Sequence, residues 1–66
     1  MDITKELETL LNQVEDELKE ALFEAEKLRV KYTKAGARRL RRHLDNLAKL
    51  KVTLRKEMLE YEKNHL

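Results

Sequence analysis

A cluster of four arginines is the clearest chemical feature of this sequence. Arg38, Arg39, Arg41 and Arg42 lie within five residues, and Asp45 is the one carboxylate within helical reach after them. The planar guanidinium group donates two parallel hydrogen bonds to a phosphate, which suits a polyanion. The pattern predicts phosphate contacts, and the candidate nucleic-acid-binding residues are Lys34, Arg38, Arg39, Arg41, Arg42, Lys49, Arg55 and Lys56.

The cations continue beyond this cluster with helical spacing. Arg42, Lys49, Lys56 and Lys63 recur every seven residues, at the position that points away from the apolar side of the predicted helix. Such residues pair poorly with a neighbouring helix, so a phosphate-binding surface is favoured over a merely solvated face. Because few nearby side chains suit base edges, we expect little preference for base sequence.

Catalytic and metal-binding chemistry find no support in the sequence. The two histidines, His43 and His65, are far apart, and neither belongs to an HExxH pattern. Cysteine is absent, which excludes disulfides and thiolate metal sites. No glycine-rich phosphate loop is present. We therefore expect neither an enzyme nor a cofactor, metal site or small-molecule substrate.

The composition is typical of long helices. Charged residues make up 42% of the 66 residues, proline is absent and there is one glycine. No segment alternates as a strand does, and no apolar run approaches the roughly 18 residues of a membrane span. The sequence therefore predicts an all-α, non-membrane, cytoplasmic chain with a single helical unit.

Two apolar seams indicate two helices that pack on each other. The first seam runs from Leu7 to Tyr32 with spacings of three and four, and the second runs from Ala37 to Tyr61, where Leu50 fills the gap left by Lys51. The seams are out of phase, and continuing the first past Tyr32 would bury unpaired cations at great cost. A break near residues 33–36 therefore separates them.

Two signals lie at this break. Thr33 can cap the start of the second helix, whereas Gly36 can instead end the first helix in a left-handed conformation. Both remain open from the sequence. We expect helix 1 over about 3–32, a turn over about 33–36 and helix 2 over about 37–64, all within one domain spanning 1–66. The short connection favours an antiparallel hairpin, a two-helix coiled coil.

The hairpin leaves apolar residues uncovered. Folding about the turn pairs Leu7 with Tyr61 and Leu11 with Met58, but other apolar side chains lie off the central seams. So short a chain rarely stabilises itself with one core, and a symmetric homodimer forming a four-helix bundle would cover the remainder. The residues expected at this oligomer interface are Leu10, Leu22, Phe23, Leu50 and Leu59.

A net charge of +2 hides a separation of charge along the chain. Residues 1–26 carry nine acids against two lysines, whereas residues 27–56 carry twelve Lys or Arg against Asp45 alone. In a hairpin, the turn end and most of the second helix are then basic, and the open end is acidic.

The basic helix resembles a known family. The segments Lys34-Ala35-Gly36-Ala37, Arg39-x-Arg41-Arg42, Leu47-x-Lys49-Leu50 and Leu54-Arg55-Lys56 are similar to the helical N-terminal region of the linker-histone-like nucleoid proteins of chlamydiae and other bacteria. The resemblance covers about residues 34–56, and it implies DNA binding and compaction through self-association. Many members carry a long Lys/Ala-rich tail, which these 66 residues do not contain.

Three functions follow as hypotheses. The favoured one is a dimeric, histone-like, nucleoid-associated protein that binds double-stranded DNA without sequence preference. An RNA-binding helical dimer of the Rop type is similar in size and architecture but shares no sequence motif. A coiled-coil protein-interaction module, with an acidic and a basic helix, is the alternative from a different class.

Overall fold

The computed structural model describes residues 3–66 as two antiparallel helices. Helix α1 spans Lys5–Val30 and helix α2 spans Lys34–His65. They form a rod with principal extents of 47, 19 and 15 Å. The expected all-α hairpin is confirmed. No strand occurs within residues 3–66.

Both helices begin at a threonine cap. The Thr4 hydroxyl accepts a hydrogen bond from the Leu7 amide at 3.2 Å, and the Thr33 hydroxyl accepts one from the Gly36 amide at 3.0 Å. Each hydroxyl satisfies one of the amides that a helix start leaves without an intrahelical partner. Of the two signals at the break, Thr33 is therefore the one that sets the helix boundary.

The connection is shorter and earlier than the sequence indicated. α1 ends at Val30 and α2 begins at Lys34, three residues before the expected start, so residues 31–33 join the helices. Gly36 has no positive φ and lies buried in the first turn of α2. A Cβ there would lie 2.9 Å from Thr33 Oγ1 and 3.1 Å from Leu28 Cδ2. Close approach to the cap and to α1 explains this glycine.

Apolar residues at alternating spacings of three and four line the interface between the helices. The apolar residues that are buried or half-buried there include Leu7, Leu10, Val14, Ala21 and Leu28 on α1, and Leu40, Leu47, Leu50, Leu54 and Tyr61 on α2. Leu50 fills the gap beside Lys51, as expected. Leu7, Leu11, Met58 and Tyr61 line one cleft at the open end, in agreement with the expected antiparallel register.

Part of each predicted seam lies outside this interface. Leu18 and Leu44 are 52% and 51% exposed, and Leu11, Tyr32 and Met58 are exposed too. Their places between the helices are taken by Glu17, Glu24 and His43, which pair with one another or with other polar groups across the interface. The apolar stripe is wider than a two-helix contact, so one of its rows faces the other helix and the next row faces outward.

Candidate nucleic-acid interface

The predicted nucleic-acid-binding residues all belong to α2. Lys34 is the first residue of this helix, and the rest follow within its first 23 residues. Every one of them is exposed. α2 is built from strong helix formers with Leu40, Leu47 and Leu54 on its inner side, which fixes where the cations point. The exposed residues are Lys34, Arg38, Arg39, Arg41, Arg42, Lys49, Arg55 and Lys56.

Four of these cations form a straight row on the outer side of the rod. Arg38, Arg42, Lys49 and Lys56 are separated by four, seven and seven residues, so they lie on one face of the helix, opposite its inner side. At a rise of about 1.5 Å per residue, the row is about 27 Å long. We call this row, with the flanking Lys34, Arg41 and Arg55, the basic stripe.

The basic stripe is electrostatically uncompensated. Within residues 3–66, none of its seven side chains forms an ion pair, and neither does the neighbouring Asp45. Cations this close on one helix face repel one another, because like charges at helical spacing are destabilising. A bound polyanion would remove that repulsion.

Arg39 has a different role from its neighbours in the cluster. Its Nε donates to Glu24 Oε1 at 3.0 Å, which ties α2 to α1. Glu24 is only 5% exposed, and Lys27 Nζ lies 3.6 Å from the same oxygen. The hydrogen bond from Arg39 lowers the pKa of Glu24, and the charges of Arg39 and Lys27 add to this against the opposing effect of burial. Arg39 therefore holds the hairpin together.

A second polar contact crosses the interface one turn further along α2. His43 Nδ1 lies 2.7 Å from Glu17 Oε2, and Asn46 Nδ2 donates to Glu17 Oε1 at 3.2 Å. Both carboxylate oxygens of Glu17 are thus satisfied. Among the described residues, no group of His, Asp and Glu side chains is arranged to hold a metal ion. His43 is explained by this contact between the helices.

The turn end of the rod adds basic residues that the predicted site left out. Arg29 is in the last turn of α1, and Lys31 is the first residue of the short connection between the helices. Eight Lys or Arg and no acid occur between residues 27 and 42. The charge separation along the sequence indicated this concentration, but the three-residue connection brings the two helix ends together.

The residues expected at an oligomer interface divide into two groups. Leu10 and Leu50 are half-buried in grooves lined by both helices, so they contribute to the hairpin itself. Leu22, Phe23 and Leu59 are exposed. Lys27 Nζ lies 4.8 Å from the centre of the Phe23 ring, a cation–π contact that covers part of this ring.

Neither helix of the described chain is long and apolar enough to cross a membrane. Comparison with protein-family models, with curated proteins and with solved structures found no match to this chain. The resemblance to linker-histone-like proteins therefore stays a prediction, and function has to be argued from the charges and contacts.

Proposed function

We propose that this chain is a non-catalytic, histone-like, nucleoid-associated protein that acts as a homodimer and binds double-stranded DNA without sequence preference. The uncompensated basic stripe on α2 is the observation that carries the proposal. Its seven exposed cations contact phosphates, and the basic turn end extends the same surface.

The chemistry of the stripe favours the DNA backbone over the base edges. Arginine and lysine neutralise phosphates and release counterions, and this contribution to affinity does not depend on sequence. Asn46, a residue type that can pair with a base edge, already donates to Glu17 within the hairpin. Direct readout would also need side chains that present paired donors and acceptors, and the exposed face of α2 offers few.

The affinity for a duplex is expected to depend steeply on salt. If each copy contacts about six phosphates, affinity falls on the order of a thousandfold between 50 and 200 mM salt. Fluorescence anisotropy with a labelled duplex of about 20 base pairs, which spans roughly two helical turns, measures this slope. A chain that fails to bind the duplex even at the lowest salt would contradict the proposal.

Neutralising the arginines that are free of ion pairs tests the stripe directly. The triple variant Arg38→Gln, Arg41→Gln, Arg42→Gln leaves the contact between Arg39 and Glu24 in place. We expect weaker binding to every duplex sequence and a salt slope lowered by roughly 2.7, since each lost phosphate contact removes about 0.9.

A matched control removes the same charge elsewhere. Lys5→Gln, Lys19→Gln, Lys51→Gln also lowers the net charge by three, but two of these lysines are on α1 and Lys51 of α2 lies off the basic stripe. The control should keep most of the affinity. Equal losses in the two triple variants would mean that net charge, rather than the stripe, governs binding.

A protein-interaction module is the second candidate, and an exposed apolar patch on α1 favours it. Leu22, Phe23 and Val30 line a shallow groove there together with Lys19 and Glu26. Replacing Phe23 by Ser should leave DNA affinity unchanged if DNA binding is the function.

Structured RNA is the other ligand with a phosphate backbone. Competition between RNA and duplex DNA of equal length for binding to the chain distinguishes these two ligands.

A further inference from the structure

The two broad faces of the hairpin differ in polarity. One is lined by grooves of polar side chains that include Gln13, Asp16 and Thr53. On the other, Leu11 and Met58 line one cleft. Seven-residue spacing places Leu18 and Ala25 on the same side of α1, and Leu44 and Ala37, with Lys51 between Leu44 and Met58, on the same side of α2. We call this second face the apolar face; it consists of Leu11, Leu18, Leu22, Ala25, Ala37, Leu44, Ala48 and Met58.

The hairpin by itself has too small a core to leave this face exposed. Among apolar residues, only Leu7 and Ala21 of the described chain are buried. Single cores in chains of this size rarely give a comfortable margin of stability, and contiguous exposed apolar surface marks an interaction site. Residues along the apolar face are therefore expected to be covered in the functional state.

The distribution of charge identifies what covers it. The turn end carries the eight cations of residues 27–42. The open end carries carboxylates on both helices, with Glu6 and Glu8 in the first turn of α1 and Glu57, Glu60 and Glu62 near the end of α2. The rod is thus complementary in charge to a second rod that runs the opposite way.

We infer that a second copy of this chain covers the apolar face, with its turn end beside the open end of the first copy. A twofold axis across the rod, parallel to the line from α1 to α2, produces this arrangement. It sets α1 against α1 and α2 against α2, each pair antiparallel. Such an isologous contact closes on itself and gives a four-helix bundle.

The residue pattern agrees with this reversed arrangement. Along α1, Leu18 comes to face Ala25 of the second copy, and along α2 Met58 comes to face Ala37. Large side chains then meet small ones, which interdigitating layers require. Leu44 faces Lys51, whose aliphatic stem covers apolar surface while its ammonium group reaches water.

The charges beside the apolar face distinguish this arrangement from the other twofold choice. Reversal places Glu15 opposite Arg29 and Lys34 opposite Glu62, with Arg41 opposite Arg55 as its unfavourable pair. A twofold axis along the rod would instead place α1 over α2 with both turn ends together. It would then set Arg29 opposite Arg41 and Glu8 opposite Glu62, with Glu15 opposite Arg55 as its favourable pair. Like-charge contacts disfavour that orientation.

The reversed arrangement has a consequence for the proposed function, on which this part of the inference rests. Both α2 helices lie on the same side of the bundle, so their two basic stripes form one surface. The like-charge pair Arg41 and Arg55 is at the edge of this surface, where a phosphate backbone neutralises it. One dimer then binds a single duplex on one side, whereas the other orientation would place the stripes on opposite sides.

Cysteine reporters test the orientation, because the chain has no cysteine of its own. Reversal brings Leu22 opposite Leu22 and Ala48 opposite Ala48 at the twofold axis. We expect Leu22→Cys alone, and Ala48→Cys alone, to be converted to covalent dimers by a short bismaleimide without DNA. Leu59→Cys is the matched control, since Leu59 is 63% exposed against 62% for Leu22 but lies eleven residues along α2 from Ala48 and so about 16 Å from the twofold axis.

Two outcomes would overturn the inference. Cross-linking only in a mixture of Leu22→Cys with Ala48→Cys would indicate the orientation with α1 over α2. Sedimentation of the unmodified chain at its monomer mass of 7.9 kDa, at the concentration used for cross-linking, would exclude the dimer. Efficient self-cross-linking without any DNA affinity would instead leave the inferred dimer standing and contradict the proposed function.

Discussion

At the scale of single residues, the hairpin is held by a small number of polar contacts in an otherwise thin core. Glu24 accepts from Arg39, and Glu17 bonds to both His43 and Asn46. Removing the partner of a carboxylate that lies away from water lowers the stability of the fold by more than breaking a surface ion pair does. The reason is that the desolvation of the carboxylate is then no longer offset. These contacts also fix the register, since each joins one position on α1 to one on α2.

Replacing Glu24 by Gln should lower the stability of the hairpin and flatten its dependence on acid pH. Since the pKa of Glu24 is lowered in the folded state, its contribution to stability is present above the unfolded value of 4.5 and is lost as pH falls through the folded value. Thermal melts followed by circular dichroism from pH 7 down to pH 3 measure both effects. Glu26→Gln is the control, since Glu26 is exposed and forms no ion pair among residues 3–66; equal effects in the two variants would count against the role of Glu24.

At the scale of elements, α2 departs from the usual charge pattern of a helix. Its first turn holds no acid, and Lys34 occupies the first helical position. The amino end of a helix carries a partial positive charge, so a cation there is unfavourable and an anion favourable. By contrast, α1 follows the usual pattern, with Glu6 and Glu8 in its first turn and Lys27 and Arg29 in its last. The exception coincides with the basic stripe, and it agrees with the phosphate-binding surface proposed above.

Lys34→Glu should therefore separate stability from binding. At protein concentrations that keep the inferred dimer dissociated, we expect the hairpin to gain about 0.5–1 kcal/mol in stability, because the carboxylate matches the helix dipole. Duplex affinity should fall, with a salt slope lowered by about one. Chemical unfolding and anisotropy titrations measure the two quantities. Lys56→Glu, in the helix interior, should weaken DNA binding without the gain in stability, and a similar gain there would contradict the dipole argument.

At the scale of the whole molecule, a rod 47 Å long with a thin core exposes an apolar face and separates its charges by end. The bundle inferred above would bury that face and bring opposite ends together. Stability of such an assembly includes the association free energy, so its melting temperature rises with protein concentration.

Leu18→Glu should remove that concentration dependence and lower the melting temperature, because a carboxylate would be buried against Ala25 of the second copy without a partner. Leu59→Glu is the control. In an isolated hairpin the two leucines are similarly exposed, at 52% and 63%, and surface substitutions of this kind usually change stability by less than about 0.5 kcal/mol. The melting temperatures of both variants are measured at several protein concentrations. If the two variants show the same melting temperatures and the same concentration dependence, the chain is a monomer and the inferred dimer is contradicted.

Local features of the sequence determined the two helices, the break between them and the separation of charge. Helix propensity, the phase change of the apolar pattern and the Thr33 cap act within a few residues, so they can be recognised without a partner. The outward direction of the stripe from Arg38 to Lys56 follows from helical spacing alone. The choice between Thr33 and Gly36 stayed open in the sequence, and the structure settles it: the Thr33 hydroxyl accepts from the Gly36 amide, and Gly36 lies against Leu28 of α1.

Only the tertiary structure decided which apolar row faces the other helix. A stripe with spacings of three and four contains two rows, and either can lie against a neighbour. The row of Leu11 and Leu18 faces outward, whereas Glu17 and Glu24, beside it, lie against α2 and find partners there. Those partners are 15 to 29 residues away in sequence, and periodicity carries no information about such pairs. The same contacts take Arg39 into the hairpin and leave the rest of the arginine cluster free.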